Sequence, residues 1–483
     1  MMSCWRYLKD AKTQVVIILC LFVALPLGIN SVDFNESTVL VASWVGLAKQ
    51  NSTGTGADVS LVLSVRIYGC MTASLIGIVI GPNIGTRRLI VAYSAIASLG
   101  NLVSFLSIHF DRYWLLVFSR IVTGIGNVGS WMAAISYLTD IASSHSRGLI
   151  IFLLIICDEM GMTIGTVLAS PAVMGRAWVW KCILLVTCVL YCSASVLLLR
   201  YPESPRYLLY IKRNPEAALE GIRIFNSRAD GVKEIESLVA GIKQTENRRK
   251  IFGASVCKEV RKPLILSVAL AGVLTFGGRH VLFNLSVFIL YQAGFSWKAA
   301  GYANIALITI VLSGMLCCCR LMDQFERRNI LRAGMIAAFL CQVSLLAISR
   351  IRHYCVERTV CTFVRTTAVC ILTLWFFSVN VGLMSCYTVV SEMFGQRYRN
   401  TGIAVFSAVT CLIGATLSLI YPLVGMTTGI LVLLIAFTTC CALVMFKLPK
   451  TTGKKLEDIA QIHNREHREN LSSELTILME SRD

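Results

Sequence analysis

Charged side chains are scarce: Asp, Glu, Lys and Arg make up only 15% of the 483 residues, against 56% hydrophobic. With a mean hydropathy of +0.69, that shortage excludes a soluble domain of this length and leaves an integral membrane protein. The alternating pattern of barrel strands is missing too, so helices are the spanning element. No phosphate-cradling loop occurs, so ATP drive and nucleotide cofactors are not expected. No nucleophile, base and orienting group recur together, which argues against an enzyme. Acids are the scarcer charge, 27 against 45 Lys and Arg, giving a formal +18. The basic excess sits in alternate loops, which marks topology and gives no reason to expect a nucleic-acid partner. At the N-terminus Lys9 and Lys12 precede an apolar run without a small-residue cleavage site, so the first span is expected to stay in the protein.

Twelve apolar stretches lie near 13–32, 59–81, 89–108, 114–138, 148–171, 178–200, 263–291, 299–320, 330–349, 366–391, 401–422 and 425–446. Each is close to the roughly 20 residues that cross a bilayer. The chain therefore divides into a six-helix bundle (1–200), a polar linker (201–262), a second six-helix bundle (263–447) and a tail (448–483). Arg6, Lys9, Lys12, Arg87, Arg88, Arg147, Arg327, Arg328, Arg397, Arg399, Lys454 and Lys455 share one side with the fourteen basic residues from Arg200 to Lys262. That side reads as cytoplasm, with both termini inside a plasma membrane. The glycosylation sequons at Asn35 and Asn51 share the first outside loop, which agrees. Arg350, Arg352, Arg358 and Arg365 fall outside with only Glu357 to balance them, which topology does not explain. Most of the nineteen cysteines sit in apolar runs as small lipid-compatible side chains. Cys355 and Cys361, in a polar outer stretch, are candidates for a disulfide. In the linker, Asn214-Pro215 followed by Leu219, Ile222 and Phe225 predicts a capped amphipathic helix, and a second is expected after Asp230.

Each bundle carries a basic cluster after its second span: Gly85-Thr86-Arg87-Arg88, then Asp323-Gln324-Phe325-Glu326-Arg327-Arg328. Asp140 and Arg147 stand seven residues apart, as do Glu392 and Arg399. Arg120 precedes Gly124 and Gly126, Pro202-Glu203-Ser204-Pro205-Arg206 follows the sixth span, and Leu448-Pro449-Lys450-Thr451-Thr452-Gly453 follows the twelfth. These residues resemble the sugar porter family of the major facilitator superfamily, the glucose-transporter-like proteins, from about Thr13 to Ile462. The resemblance implies two six-helix bundles around a central cavity, moving a small solute by alternating access. It also implies a cytoplasmic latch of Arg87, Arg88, Arg120, Asp140, Arg147, Glu203, Arg206, Asp323, Arg327, Arg328, Glu392 and Arg399. Charge-assisted pairs at a partly wet interface suit that role. The first cluster lacks the customary acid, Glu326 stands where glycine is usual, and Lys450 replaces a glutamate, so a weaker latch is expected.

The family's sugar-binding amides are largely gone. By resemblance they fall on Ile155 and on Leu274 with Thr275, the following asparagine on His280, and an eleventh-span tryptophan on Cys411. Gly382-Leu383-Met384-Ser385-Cys386-Tyr387 replaces a proline-rich stretch with its tryptophan. Ionisable groups appear instead: Arg66, Asp158, Glu159, Arg279 and His280 all lie within spans, where a charge normally faces a partner or a wet cavity. They read either as mutually paired structural charges or as a charged or proton-coupled substrate site. The substrate-site candidates are His280, Thr275, Asn284, Glu159, Asn30 and Tyr387, with Glu159 placed nearer the cavity face than Asp158. Asn30 and Asn284 read equally as interhelical hydrogen-bond partners. The expected partners are a small polar or charged solute, the lipid bilayer and protons, with no metal. An organic cation or anion carrier and a non-transporting sensor on the same fold are the alternatives.

Overall fold

A computed structural model describes residues 11–32, 44, 56–81, 83–142, 147–169, 181–225, 256–318, 325–352, 358–394, 399–424 and 426–445. The first bundle holds α1 (Ala11–Val32), α2 (Gly56–Ile80), α3 (Thr86–His109), α4 (Tyr113–Ile141), α5 (Arg147–Ala169) and α6 (Cys182–Leu198). Two short helices follow, α7 (Pro205–Tyr210) and α8 (Pro215–Phe225). The second bundle holds α9 (Val256–Phe276) and α10 (Arg279–Gln292), which together make the seventh span, then α11 (Trp297–Cys318) and α12 (Arg327–Arg352). Its tenth span is α13 (Arg358–Phe377) running through a π-helical turn into α14 (Ser385–Met393). Then come α15 (Arg399–Val424) and α16 (Met426–Met445). Ten of the described helical segments are long and apolar enough to cross a membrane, and two shorter apolar helices, Ser64–Ile80 and Cys182–Leu198, complete the twelve.

The two bundles meet through α2 against α15 and α5 against α11, the same pair of positions in each half. One hydrophobic cluster runs from Val15 to Val444 through both. Two spans are interrupted by a π turn, in which bonds reach five residues instead of four. In α1 the π turn is Cys20–Ala24. It ends two residues before Pro26, whose missing N–H leaves the carbonyl of Phe22, inside the turn, without its helical donor. The other, Ser378–Leu383, closes with the Met384 N–H on the Val379 carbonyl at 2.9 Å.

Outside the spans, Asn214 Oδ1 accepts from the Ala217 N–H at 3.1 Å, and Pro215 opens α8 with Ile222 and Phe225 buried. Sequence reading missed α7, although it has the same grammar: Ser204 Oγ accepts from the Tyr207 N–H at 3.3 Å, with Pro205 at the first helical position. The tenth span begins at Arg358, earlier than the expected 366, so Arg358 and Arg365 belong to a helix and not to a loop. The expected helix after Asp230, both sequons, Cys355, Asp323 and the tail lie outside the described residues.

Candidate functional site

A cavity of about 90 Å³ lies between the bundles, with a polar wall formed by Arg66, Asp158, Arg279, His280, Tyr387 and Ser407. Backbone contacts set the first two. A Cβ on Gly124 of α4 would sit 2.1 Å from the Arg66 carbonyl oxygen, so α2 and α4 touch where Arg66 leaves the helix. One on Gly28 of α1 would sit 1.9 Å from the Asp158 carbonyl oxygen, so α1 lies directly on α5 at the level of Asp158. Only glycine permits either approach.

Arg279 Nη2 donates to Asp158 Oδ2 at 2.9 Å, an ion pair that joins the bundles across the cavity. Its Nη1 donates to Asn380 Oδ1 of the π turn at 2.9 Å, so the planar guanidinium is held on two edges. Arg66, 7% exposed, has no hydrogen bond or ion pair among the described residues. Asp158 Oδ1, Ser407 Oγ and His280 Nε2 are likewise buried without a hydrogen-bond partner among them. Tyr387 closes one end, edge to face on Trp131 of the first bundle (centroids 6.1 Å apart) and on Phe406 (4.9 Å).

The expectation of an unbroken seventh span is corrected. It stops at Phe276 and restarts at Arg279, with Gly278 at φ +109°, a conformation that strains any residue with a Cβ. The freed carbonyls are taken up by neighbours: Trp375 Nε1 donates to the Gly277 oxygen at 2.6 Å and Gln342 Nε2 to the Phe276 oxygen at 2.9 Å. Non-helical backbone at membrane depth survives only with such partners. The break delivers Arg279 and His280 to the cavity at the start of a new helix. Trp375, Gln342 and Asn380 were not foreseen from sequence; Gly277-Gly278 inside an apolar run was the readable sign.

The sequence candidates separate. His280 and Tyr387 line the cavity. Thr275 does not, and its hydroxyl donates to the Ala271 carbonyl of its own helix at 2.7 Å. Asn30 Nδ2 reaches Asn127 Oδ1 at 3.4 Å, an α1–α4 contact away from the cavity. The acid on the wall is Asp158. Glu159 is fully buried behind it, with neither carboxyl oxygen bonded among the described residues. A helix turns about 100° per residue, so packing α5 on α1 at Asp158 turns Glu159 off the wall. Asn284 lies in α10 and its side chain is outside the described residues.

At one end of the bundles a second set of charges meets. Arg399 pairs with Asp140, and Arg147 Nη1 lies 3.5 Å from Glu392 Oε1, both between bundles. Arg327 pairs with the same Glu392 inside the second bundle, and Ser204 Oγ donates to Asp140 Oδ2 at 2.6 Å. All four charged partners of the two cross-bundle pairs are buried. Glu203 works within the first bundle. It accepts from the Arg87 and Arg88 backbone N–H groups at 2.7 and 3.4 Å, capping α3 where the helix dipole favours an anion. Arg87 Nη1 donates to the Tyr201 carbonyl at 2.6 Å and its Nε lies 4.0 Å from Glu203. The acid expected in the first basic cluster is therefore supplied by Glu203. Arg206 is buried at this end, and Arg328 is half-buried. Arg120 does not belong here: it lies twenty residues before Asp140 on the same helix, about 30 Å away. The ordering of motifs along the chain concealed that depth.

The model of the family described as sugar (and other) transporter matches residues 5–463. The pig protein named solute carrier family 2, facilitated glucose transporter member 2, is 24% identical over 419 residues, 83% of this chain and 76% of its own length. The bovine member 4 is 27% identical over 448 residues, 88% and 84% respectively. Among solved structures, the proton:xylose symporter XylE bound to 6-bromo-6-deoxy-D-glucose superposes with a TM-score of 0.76 at 16% identity, covering 93% of this chain and 99% of that one. The helices thus adopt the major facilitator fold, and the protein is a multi-pass solute carrier and not an enzyme: the chain belongs to the sugar (and other) transporter family.

Proposed function

We propose that this carrier moves a small hydroxylated organic solute, sugar-like or bearing a charge, through the cavity between its bundles, with protons as the coupling ion. The observation that carries the reading is the polar wall between the bundles, where Arg66, His280 and Ser407 present groups without hydrogen-bond partners among the described residues. Unpaired buried polar groups are costly unless a ligand satisfies them. Relatives named as facilitated glucose transporters and a proton:xylose symporter support a sugar-like solute and a proton. Glu159 is the group proposed to take the proton, since both of its carboxyl oxygens are buried without hydrogen bonds among the described residues.

The pairs Asp140–Arg399 and Arg147–Glu392 act as the latch that holds one end shut, in a chain divided at 1–200, 201–262, 263–447 and 448–483. Loop charge supports placing that end and both termini in the cytoplasm, below a plasma membrane, with Asn35 and Asn51 glycosylated outside. The test is uptake into proteoliposomes of a labelled panel of sugars and organic ions at several pH values. Failure of every compound to accumulate above empty vesicles refutes the proposal.

A further inference from the structure

The charges on the cavity wall do not cancel. Two guanidinium groups, Arg66 and Arg279, face one carboxylate, Asp158. Asp158 is committed to Arg279, which Asn380 also holds. That leaves Arg66 nine-tenths buried in α2, within electrostatic reach of Asp158 but without a hydrogen bond or ion pair to it or to any other described residue. A lone intramembrane charge normally has a counter-charge or marks the path of one. Around the same space stand the buried, unbonded Ser407 Oγ and His280 Nε2, and the second half of the seventh span begins there with Arg279 and His280. A half-helix start at membrane depth favours negative charge.

We infer that the solute is a monoanion: a small hydroxylated carboxylate, such as a sugar acid, whose carboxylate takes the Arg66 guanidinium while its hydroxyls meet Ser407 and His280. This rests on the carrier reading above and adds the sign of the charge. The chemistry fits in three respects. A planar carboxylate matches the guanidinium fork with two parallel hydrogen bonds. One negative charge brings the wall to neutrality, which a neutral hexose leaves at plus one and an amine raises to plus two. The places where the resemblance puts the family's sugar-binding amides, Ile155 and Leu274, are apolar, buried and off the cavity wall, so charged groups stand where a solute is met in place of amides.

The experiment uses the full-length protein in proteoliposomes and compares three probes of one shape: glucose, glucuronate and glucosamine. Ligand-induced thermal stabilisation is read on the same preparations. Glucuronate should accumulate and stabilise most. Arg66→Gln should weaken the apparent affinity for glucuronate about 10- to 100-fold, the size of a lost charge-assisted hydrogen-bonded pair. The same variant should narrow or reverse the margin over glucose, with Arg66→Lys intermediate. Glucose or glucosamine preferred by the native protein overturns the anion inference while leaving the carrier intact. So does an Arg66→Gln protein that keeps its margin for glucuronate. If Glu159, and not the solute, neutralised the wall, Glu159→Gln would change the preference and Arg66→Gln would not, which also overturns it. No uptake of any probe by protein with a cooperative thermal transition would sink the carrier proposal and the inference together.

Discussion

Removing the Asp140 carboxylate should spring the charged end of the bundles open. Asp140 holds Arg399 across the interface and accepts from Ser204 at 2.6 Å, with both charged side chains only 2% exposed. Asp140→Ala removes the carboxylate that the buried Arg399 guanidinium meets across the interface, and breaking a buried pair this way costs about 3–5 kcal/mol. The cost falls on the closed form alone, since separation of the bundles lets water reach Arg399. At 1.4 kcal/mol per tenfold, the population shifts toward the form open at this end by about 10²- to 4 × 10³-fold. The reporter is Ser136→Cys: Ser136 is buried one turn before Asp140 and lines a small space with Ile403 and Ala404 of the other bundle. Maleimide labelling at that position, quantified by mass spectrometry, should accelerate in Asp140→Ala and in Glu392→Ala. The double variant Asp140→Ala/Arg399→Ala should recover part of the closed population, because the cross-bundle pair is then removed from both sides. Unchanged labelling in both single variants would refute the latch, and absence of recovery in the double variant would refute its electrostatic origin.

Gly278→Ala adds a Cβ 2.5 Å from the Trp375 ring at a φ of +109°, so it should lower the melting temperature and abolish uptake, while Gly272→Ala meets only the end of Cys440 and should be milder. Glu203→Gln removes the anion that caps α3 and should cost about 1–2 kcal/mol in denaturant unfolding, with an effect under 0.5 kcal/mol speaking against the cap. Glu159→Gln replaces an unbonded buried carboxyl by a neutral amide and should flatten the pH dependence of uptake, whereas an unaltered profile takes Glu159 out of the proton path. Glycosidase treatment should shift the mobility of the native protein but not of Asn35→Gln/Asn51→Gln, and a terminal tag detected at the surface of intact cells would reverse the proposed topology.

The spans were legible because each is a long apolar run in a chain with few charges, a one-dimensional signal that survives without knowledge of packing. The interruption of the seventh span was not, since Phe276, Val281 and Leu282 keep hydropathy high across the break. Only the Gly277-Gly278 pair marked it, and its carbonyl partners come from Gln342 and Trp375, far along the chain. The choice between Asp158 and Glu159 turned on 100° of helix rotation, which is fixed by Gly28 resting on α5. Sequence spacing carries no such phase when one neighbour dictates it. Asp140, Arg147, Glu392 and Arg399 were found by their repeated spacing because charge at helix ends leaves a direct pattern. Arg120 was misplaced by the same reasoning, since a motif list records order and not depth.

The divided seventh span has a consequence for hydrogen exchange. Its first half is anchored within its own bundle by two foreign donors on the Phe276 and Gly277 carbonyls. Its second half is fastened to the other bundle through Arg279 and Asp158. The break uncouples the amides of the two halves, because no continuous ladder runs through Gly277 and Gly278. The Val256–Phe276 segment should therefore keep slow, uniform deuterium uptake throughout the cycle. Exchange in Arg279–Gln292 should rise and fall with the Arg279–Asp158 bond, so a single peptide of the map would report which way the carrier faces.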